Sequence, residues 1–146
     1  MKIIDLKKDK SFIRQYVDLR NNYVELLLTS AVNITETERW LKKSDIEVRV
    51  LAEEDLLLGS AILYIDRGGE VAFFAKEQGK GIGSLLLNAI EDAARMRNLK
   101  SVWAWVLAGN IPAKKAFEKN GYIMENMTER EYNNTVKQGI NFRKVL

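Results

Sequence analysis

Six consecutive residues, Gln78-Gly79-Lys80-Gly81-Ile82-Gly83, have the types and the spacing to hold an anion. Glycines directly ahead of a helix leave its first backbone N–H groups bare and open to close approach. Together with the positive end of the helix dipole, those groups suit a phosphate or pyrophosphate. The helix is legible from Ile82 onward: Ile82, Leu85, Leu86, Ala89, Ile90 and Ala93 recur at three- and four-residue spacing and mark one apolar face. Ahead of the turn, Val71 to Ala75 is an apolar, aromatic strand. Spacing excludes two phosphate-binding patterns. A P-loop needs two glycines further apart, followed by Lys and Ser or Thr, and nothing here matches it. In the dinucleotide pattern G-x-G-x-x-G, Ser84 stands in place of the third glycine. The acid expected about 20 residues on is also missing, since Val102 to Val106 holds none.

A third pattern, Q/R-x-x-G-x-G/A, is met by Gln78, Gly81 and Gly83. Here the sequence resembles the GCN5-related N-acetyltransferase family, in which this turn cradles the pyrophosphate of acetyl-CoA. Taken alone, the turn serves equally as a link between strand and helix, but a second pattern lies downstream. Asn110-Ile111-Pro112-Ala113-Lys114-Lys115-Ala116-Phe117-Glu118-Lys119-Asn120-Gly121-Tyr122 looks like the family's Asn, an Ala three residues later, then Tyr-Glu-Lys-x-Gly-Phe. The resemblance covers about residues 47 to 126, with both patterns in the family's order.

The resemblance implies acetyl-CoA as co-substrate and attack of a primary amine on its thioester. Gln78, Gly79, Lys80, Gly81, Ile82, Gly83 and Ser84 would bind the pyrophosphate. Asn110, Ala113 and Phe117 would line the pantetheine side, and Lys119 would approach the 3′-phosphate. A backbone N–H near Phe73, Phe74 and Ala75 would hold the oxyanion. Lys80 and Lys119 read equally well as solvated lysines. One departure matters: the family often has a tyrosine where Phe117 stands, to protonate the leaving thiolate, and phenylalanine has no proton to give. Tyr122 or Tyr64 would then act as the acid, or the thiolate leaves unassisted. Glu70 occupies a place where the family often puts a carboxylate, acting as base directly or through water; beside Gly68-Gly69 it also suits a turn. Glu38 and Asp66 are weaker candidates. Arg20, Tyr23 and Trp40 are expected to line the acceptor pocket, with Trp103 or Trp105 facing it, although aromatics at such places also build cores.

Composition narrows the chemistry. The chain of 146 residues has no cysteine and no histidine, which removes thiolate nucleophiles, a Ser-His-Asp triad and the usual zinc ligands. Proton transfer must use Glu, Asp, Tyr, Lys, water or the substrate, and no metal is expected. Without an acyl-carrying Cys, direct transfer in a ternary complex is favoured. A net charge of +3 without a basic run gives no nucleic-acid footprint. No apolar run approaches the roughly 18 residues a membrane span needs, and MKIIDLKKDK is too charged for a signal peptide. The expectation is therefore a cytoplasmic monomer or homodimer.

The elements that must position these residues come from periodicity and caps. Residues 2 to 7 read as an edge strand. Ser11 is expected to cap a helix through Arg20. Thr35 with Glu38 makes a capping box for a second helix ending at Lys42 and Lys43. Neither periodicity nor caps settle the state of Glu25 to Val32. Glu47–Ala52 and Leu56–Ile65 form a hairpin around Glu53-Glu54-Asp55, and Asp66 to Gly69 turns into the central strand. Ser101–Leu107 is an internal strand. Asn110 opens a short helix that Gly121 stops, and Thr128–Leu146 holds a turn or helix and a final strand. This is one α+β domain over residues 1–146, a mixed, mostly antiparallel central sheet with helices on both faces. The expected activity is acetyl transfer to a small-molecule amine, first a nucleotide-linked amino sugar. The stretch Ile34 to Leu41 resembles a helix of family members acting on such sugars and of those acting on protein N-termini. A protein N-terminal or lysine acetyltransferase and a non-catalytic acyl-CoA-binding domain are the alternatives.

Overall fold

The computed structural model describes residues 1–146. Seven strands form one sheet: β1 (Lys2–Asp5), β2 (Ile46–Glu53), β3 (Leu56–Tyr64), β4 (Glu70–Ala75), β5 (Ser101–Leu107), β6 (Ile123–Tyr132) and β7 (Thr135–Val145). Their order across the sheet is β1-β2-β3-β4-β5-β7-β6. Every pairing is antiparallel except β4 with β5. The helices α1 (Ile13–Asn21), α2 (Val24–Leu27) and α3 (Ile34–Trp40) precede β2; α4 (Ile82–Met96) and α5 (Ile111–Lys119) flank β5 in sequence.

Each face of the sheet carries its own core. On one face Leu86, Leu87 and Ile90 of α4 are completely buried against Ala61, Leu63, Val71, Val102 and Ala104. Burial of each such side chain contributes about 1.5–3 kcal/mol. On the other, Ile13, Tyr16 and Val17 of α1 pack on Val48, Val50, Ile62 and Phe74. Alternation along β4 divides its aromatics, with Phe73 against the α4 core and Phe74 against the α1 core. The apolar face of α4 is rotated from the one read in the sequence: Leu85 is 42% exposed, and Leu87 and Ala94 take its place.

The caps differ from expectation in two places. Asp9, not Ser11, caps the first helical segment, accepting from the Ser11 backbone N–H at 3.1 Å and from its hydroxyl at 2.6 Å. A 3-10 turn at Lys10–Phe12 then leads into α1. The capping box lies two residues before the expected one: Asn33 Oδ1 accepts from Glu36 N at 2.8 Å, and Glu36 Oε1 accepts from Asn33 N at 3.1 Å. Asn is at least as good an N-cap as Thr, and α3 ends at Trp40, short of the expected Lys42 and Lys43. The largest correction is the tail, which holds two strands of ten and eleven residues rather than a turn or helix and one strand. They meet at Asn133-Asn134, both with positive φ (49° and 63°), as a two-residue hairpin turn of this hand requires.

Candidate active site

The glycine turn is open by construction. Gly79 and Gly81 have φ of +76° and +73°, and a Cβ added at either would meet nothing within 4 Å. Gly81 is the N-cap of α4 and offers no side-chain cap, so the first N–H groups of a 15-residue helix stay free for a ligand. Gly83 is needed for another reason, since a Cβ there would lie 3.1 Å from the Phe73 ring. The turn forms one wall of a cleft of about 190 Å³, whose other walls are Phe73 to Ala75, Asn110, Ala113, Lys115 and Lys119. Asn110 caps α5, its Oδ1 accepting from Ala113 N at 3.3 Å. Asn120 at the far end of α5 donates to Ser84 Oγ at 3.0 Å and ties the two helices together.

The cleft continues into the sheet because β4 and β5 part. Glu70 opposite Trp103 is their only paired register position. Lys76 N donates to Leu58 O across the β3 side at 2.8 Å. Strand alternation therefore turns the N–H groups of Phe73 and Ala75 the other way, into the gap that β5 leaves. A narrow neck of about 30 Å³ occupies the gap, lined by Leu27, Val71 to Phe73, Trp105, Asn110, Ala113 and Phe117. Phe117 is a buried aromatic plug beneath it, edge-on to Phe73 at 5.4 Å and stacked on Phe142 at 5.9 Å.

Beyond the neck lies a second pocket of about 380 Å³, sharing Leu27, Val71, Ala72 and Trp105 with it. Its walls include Tyr16, Arg20, Trp40, Tyr64, Glu70 and Arg130. Glu70 is 6% exposed and held between two guanidiniums, with Oε1 accepting from Arg67 at 3.2 Å and Oε2 from Arg130 at 2.7 Å. Arg67 also lies 4.0 Å above the Tyr64 ring and Arg130 4.8 Å above that of Trp105. Burial pushes the Tyr64 and Tyr16 hydroxyls above their ordinary range. Tyr16 is fully buried, and its hydroxyl has no partner in the chain. The segment after α2 is strapped over this pocket. Asn21 bonds both the N–H and the C=O of Val32, and Tyr132 donates to Thr29 O at 2.9 Å.

Most residues singled out in the sequence converge on these three spaces. Gln78, Gly79, Gly81, Ile82, Gly83, Ser84, Phe73, Phe74, Ala75, Asn110, Ala113 and Lys119 line the first cleft. Arg20, Trp40 and Glu70 line the second pocket, and Trp105 lines both that pocket and the neck. Others are placed elsewhere. Lys80 reaches Glu77 at 3.7 Å, with both side chains largely exposed. Tyr23 belongs to the first cleft, its hydroxyl donating to Ala75 O. Tyr122 is buried and donates to Glu91 Oε2 at 2.9 Å on the far side of Phe117. Burial and the adjoining Glu91 carboxylate raise its hydroxyl well above the ordinary range. Tyr122 therefore cannot serve as the acid at the neck. Glu38 and Asp66 line none of the three spaces, and Trp103 spends its indole N–H on Arg67 O at 2.8 Å. Three contributors are not singled out by the sequence. Lys115 stands one helical turn before Lys119, a spacing that could have marked it. Arg130 lies in a strand without a recognisable pattern, and Arg67 reads only as part of a turn.

Residues 15–122 match the model of the acetyltransferase (GNAT) family. No curated protein sequence matches the chain. Among solved structures, the ribosomal-protein-alanine N-acetyltransferase of Brucella melitensis superposes with a TM-score of 0.86 at 18% identity, over 100% of both chains. An acetyltransferase of Salmonella typhimurium, solved with its cofactor acetyl-CoA, gives 0.86 at 16% identity over 99% of this chain and 92% of that one. The spermidine N-acetyltransferase of Vibrio cholerae, in complex with CoA and spermine, gives 0.83 at 18% over 99% and 94%. At such identities these likenesses establish the shared fold. The residue match covers most of the chain and says more: this chain belongs to the GNAT family and is an N-acetyltransferase that uses acetyl-CoA.

Proposed function

We propose that the chain acetylates the primary amine of a small molecule by direct attack in a ternary complex. The donor would occupy the glycine-turn cleft and the acceptor the pocket beyond the neck. The observation that carries this reading is the shared wall along β4: the neck shares Phe73, Asn110 and Ala113 with the cleft and Val71, Ala72 and Trp105 with the second pocket, and strand alternation turns the Phe73 and Ala75 N–H groups towards it. Acetyl-CoA supplies an activated acyl carbon with a thiolate as leaving group. The turn N–H groups, with Lys115 and Lys119, would bind its phosphates. The Phe73 and Ala75 N–H groups would stabilise charge on the carbonyl oxygen.

An amine arrives mostly protonated at pH 7 and must lose a proton before attack. Glu70 is the base we favour, two residues along the same face of β4 from Ala72. Both of its oxygens are engaged by arginines, so it would act through a water, which takes the proton from the ammonium and gives one of its own to the Glu70 carboxylate. No hydroxyl acid is assigned for the thiolate. A simple thiol has a pKa of about 8.5, and the N-terminus of α5, which borders cleft and neck, favours the negative charge. The aromatic walls Trp40, Tyr64 and Trp105 suit a ring, and a nucleotide-linked amino sugar remains our first choice of acceptor. A groove for basic peptides would present an excess of carboxylates, whereas here three guanidiniums, Arg20, Arg67 and Arg130, face two carboxylates, Glu36 and Glu70.

The test is calorimetric titration of acetyl-CoA and CoA into the native protein and into Gly81→Glu, followed by an amine screen led by amino sugars. Binding that the variant loses, with turnover of a small amine, supports the reading. Native protein that does not take up CoA, or turnover confined to polypeptides, overturns it.

A further inference from the structure

We infer that the pocket beyond the neck selects acceptors that carry an anionic group, a carboxylate or a phosphate, in addition to the amine. This rests on the reading of that pocket as the acceptor site, and on how its charges are already spent. Glu36 keeps its charge but is held in the α3 capping box, where its Oε1 accepts from Asn33 N. Glu70 is shared between Arg67 and Arg130, so two guanidiniums are offset by one carboxylate. Arg20 has no carboxylate at all. It donates to two neutral oxygens, Thr29 Oγ1 at 2.9 Å and Ser30 O at 3.0 Å. With three guanidiniums against two carboxylates, the pocket thus holds an excess of one positive charge beside apolar and aromatic walls.

The second observation is independent of charge. Tyr16 stands one helical turn before Arg20 on α1 and lines the same pocket; it is fully buried, and its hydroxyl makes no full hydrogen bond in the chain, although the Arg20 guanidinium lies close to it. A buried hydroxyl without a partner is costly, and most such groups in folded proteins are satisfied. An anion beside Arg20 would accept from Tyr16 and from the remaining guanidinium N–H groups together, the geometry in which charge-assisted hydrogen bonds are strongest. The same charges repel a polyamine.

Two measurements test this. Inorganic phosphate is titrated into protein saturated with CoA, for the native chain, Arg20→Gln and Tyr16→Phe. The native protein should bind phosphate; Arg20→Gln should weaken that binding about tenfold or more, and Tyr16→Phe about threefold. Tyr16→Phe removes a hydroxyl that makes no full hydrogen bond in the chain, so it folds even if Arg20→Gln does not. Phosphate that fails to bind, or binds all three alike, overturns the inference whichever amines turn over. The second measurement compares matched acceptors: glucosamine with glucosamine 6-phosphate, and an amino acid with its amide. A preference for the phosphorylated or for the free-acid member assigns the anion, with the gain lost in Arg20→Gln through KM. Equal turnover of the neutral members, or better turnover of spermidine, overturns it. Loss of CoA binding would instead sink the donor-site reading. The phosphate titration, run on Gly81→Glu with its turn blocked, would then still report on Arg20.

Discussion

The sharpest structural prediction concerns Gly139 in β7, far from the glycine turn. A Cβ at this position would lie 2.1 Å from Cε2 and Cζ2 of Trp105 and 2.7 Å from its Nε1. The indole lies flat across a strand backbone that must be bare. In Gly139→Ala the ring has to retreat by about 1.5 Å to regain ordinary contact distance. Retreat breaks the bond from Trp105 Nε1 to Thr128 Oγ1, now 3.1 Å, worth about 1 kcal/mol. Overpacking adds roughly 1–3 kcal/mol, so the variant should be about 2–4 kcal/mol less stable, a fall in Tm of roughly 6–12 °C for a chain of this size. Urea unfolding of Gly139→Ala alone and in a Trp105→Ala background separates the clash from other causes. Without the indole, Gly139→Ala should cost no more than about 0.5 kcal/mol, leaving a coupling of about 2–3 kcal/mol. An equal cost in both backgrounds would refute the reasoning. Because Trp105 walls the acceptor pocket but not the donor cleft, Gly139→Ala should also raise KM for the amine and leave CoA affinity unchanged.

Two further predictions concern buried hydroxyls. Tyr122→Phe should keep kcat within about twofold, because the hydroxyl is spent on Glu91, while losing about 1–3 kcal/mol as a buried carboxylate gives up a donor; a large drop in kcat at unchanged stability would restore Tyr122 as an acid. The raised hydroxyls of Tyr16 and Tyr122 also set an alkaline limit. Above about pH 10 the unfolded tyrosines ionise while the folded ones stay protonated, so the folded state binds more protons and stability falls as pH rises. Each group contributes about 1.4 kcal/mol per pH unit in that range, and Tyr16→Phe should flatten the slope of stability against pH by that amount. An unchanged slope between about pH 10.5 and 12 counts against the burial argument.

The donor side is legible in the sequence because its chemistry is local. A glycine turn, the helix it opens and a second capped helix are each written in a few adjacent residues, and Gln78, Gly79, Gly81 to Ser84, Asn110 and Ala113 come together in one cleft, with Lys80 outside it. The acceptor side depends on distant pairing. Arg130 reaches Glu70 across 60 positions of sequence, from a strand whose residues MENMTEREY lack the apolar alternation that marks a half-buried strand. That strand lies at the sheet edge, with Ile123, Met124 and Met127 more than half exposed, so the pattern that betrays buried strands was never imposed on it. Tyr122 misleads for a related reason. Nothing in its neighbours in sequence shows that Glu91, a turn and a half before the end of another helix, would capture its hydroxyl.

That edge strand gives the enzyme an uneven mechanical character. Within the sheet β6 pairs only with β7, and it alone carries Arg130 to the pocket proposed for the acceptor, whereas the cleft proposed for the donor rests on α4 and the fully buried side chains beneath it. Fraying of β6 from β7, at a fraction of the global unfolding free energy, would release Arg130 from that pocket while β7, with Phe142 in the core beneath α4, stayed in place. Hydrogen exchange should therefore find β6 amides exchanging well before those of α4, and an occupied acceptor pocket should slow them. On the proposed assignment, the same arrangement would let substitutions along one outer ribbon retune which amines are accepted while the cleft under α4 keeps its shape.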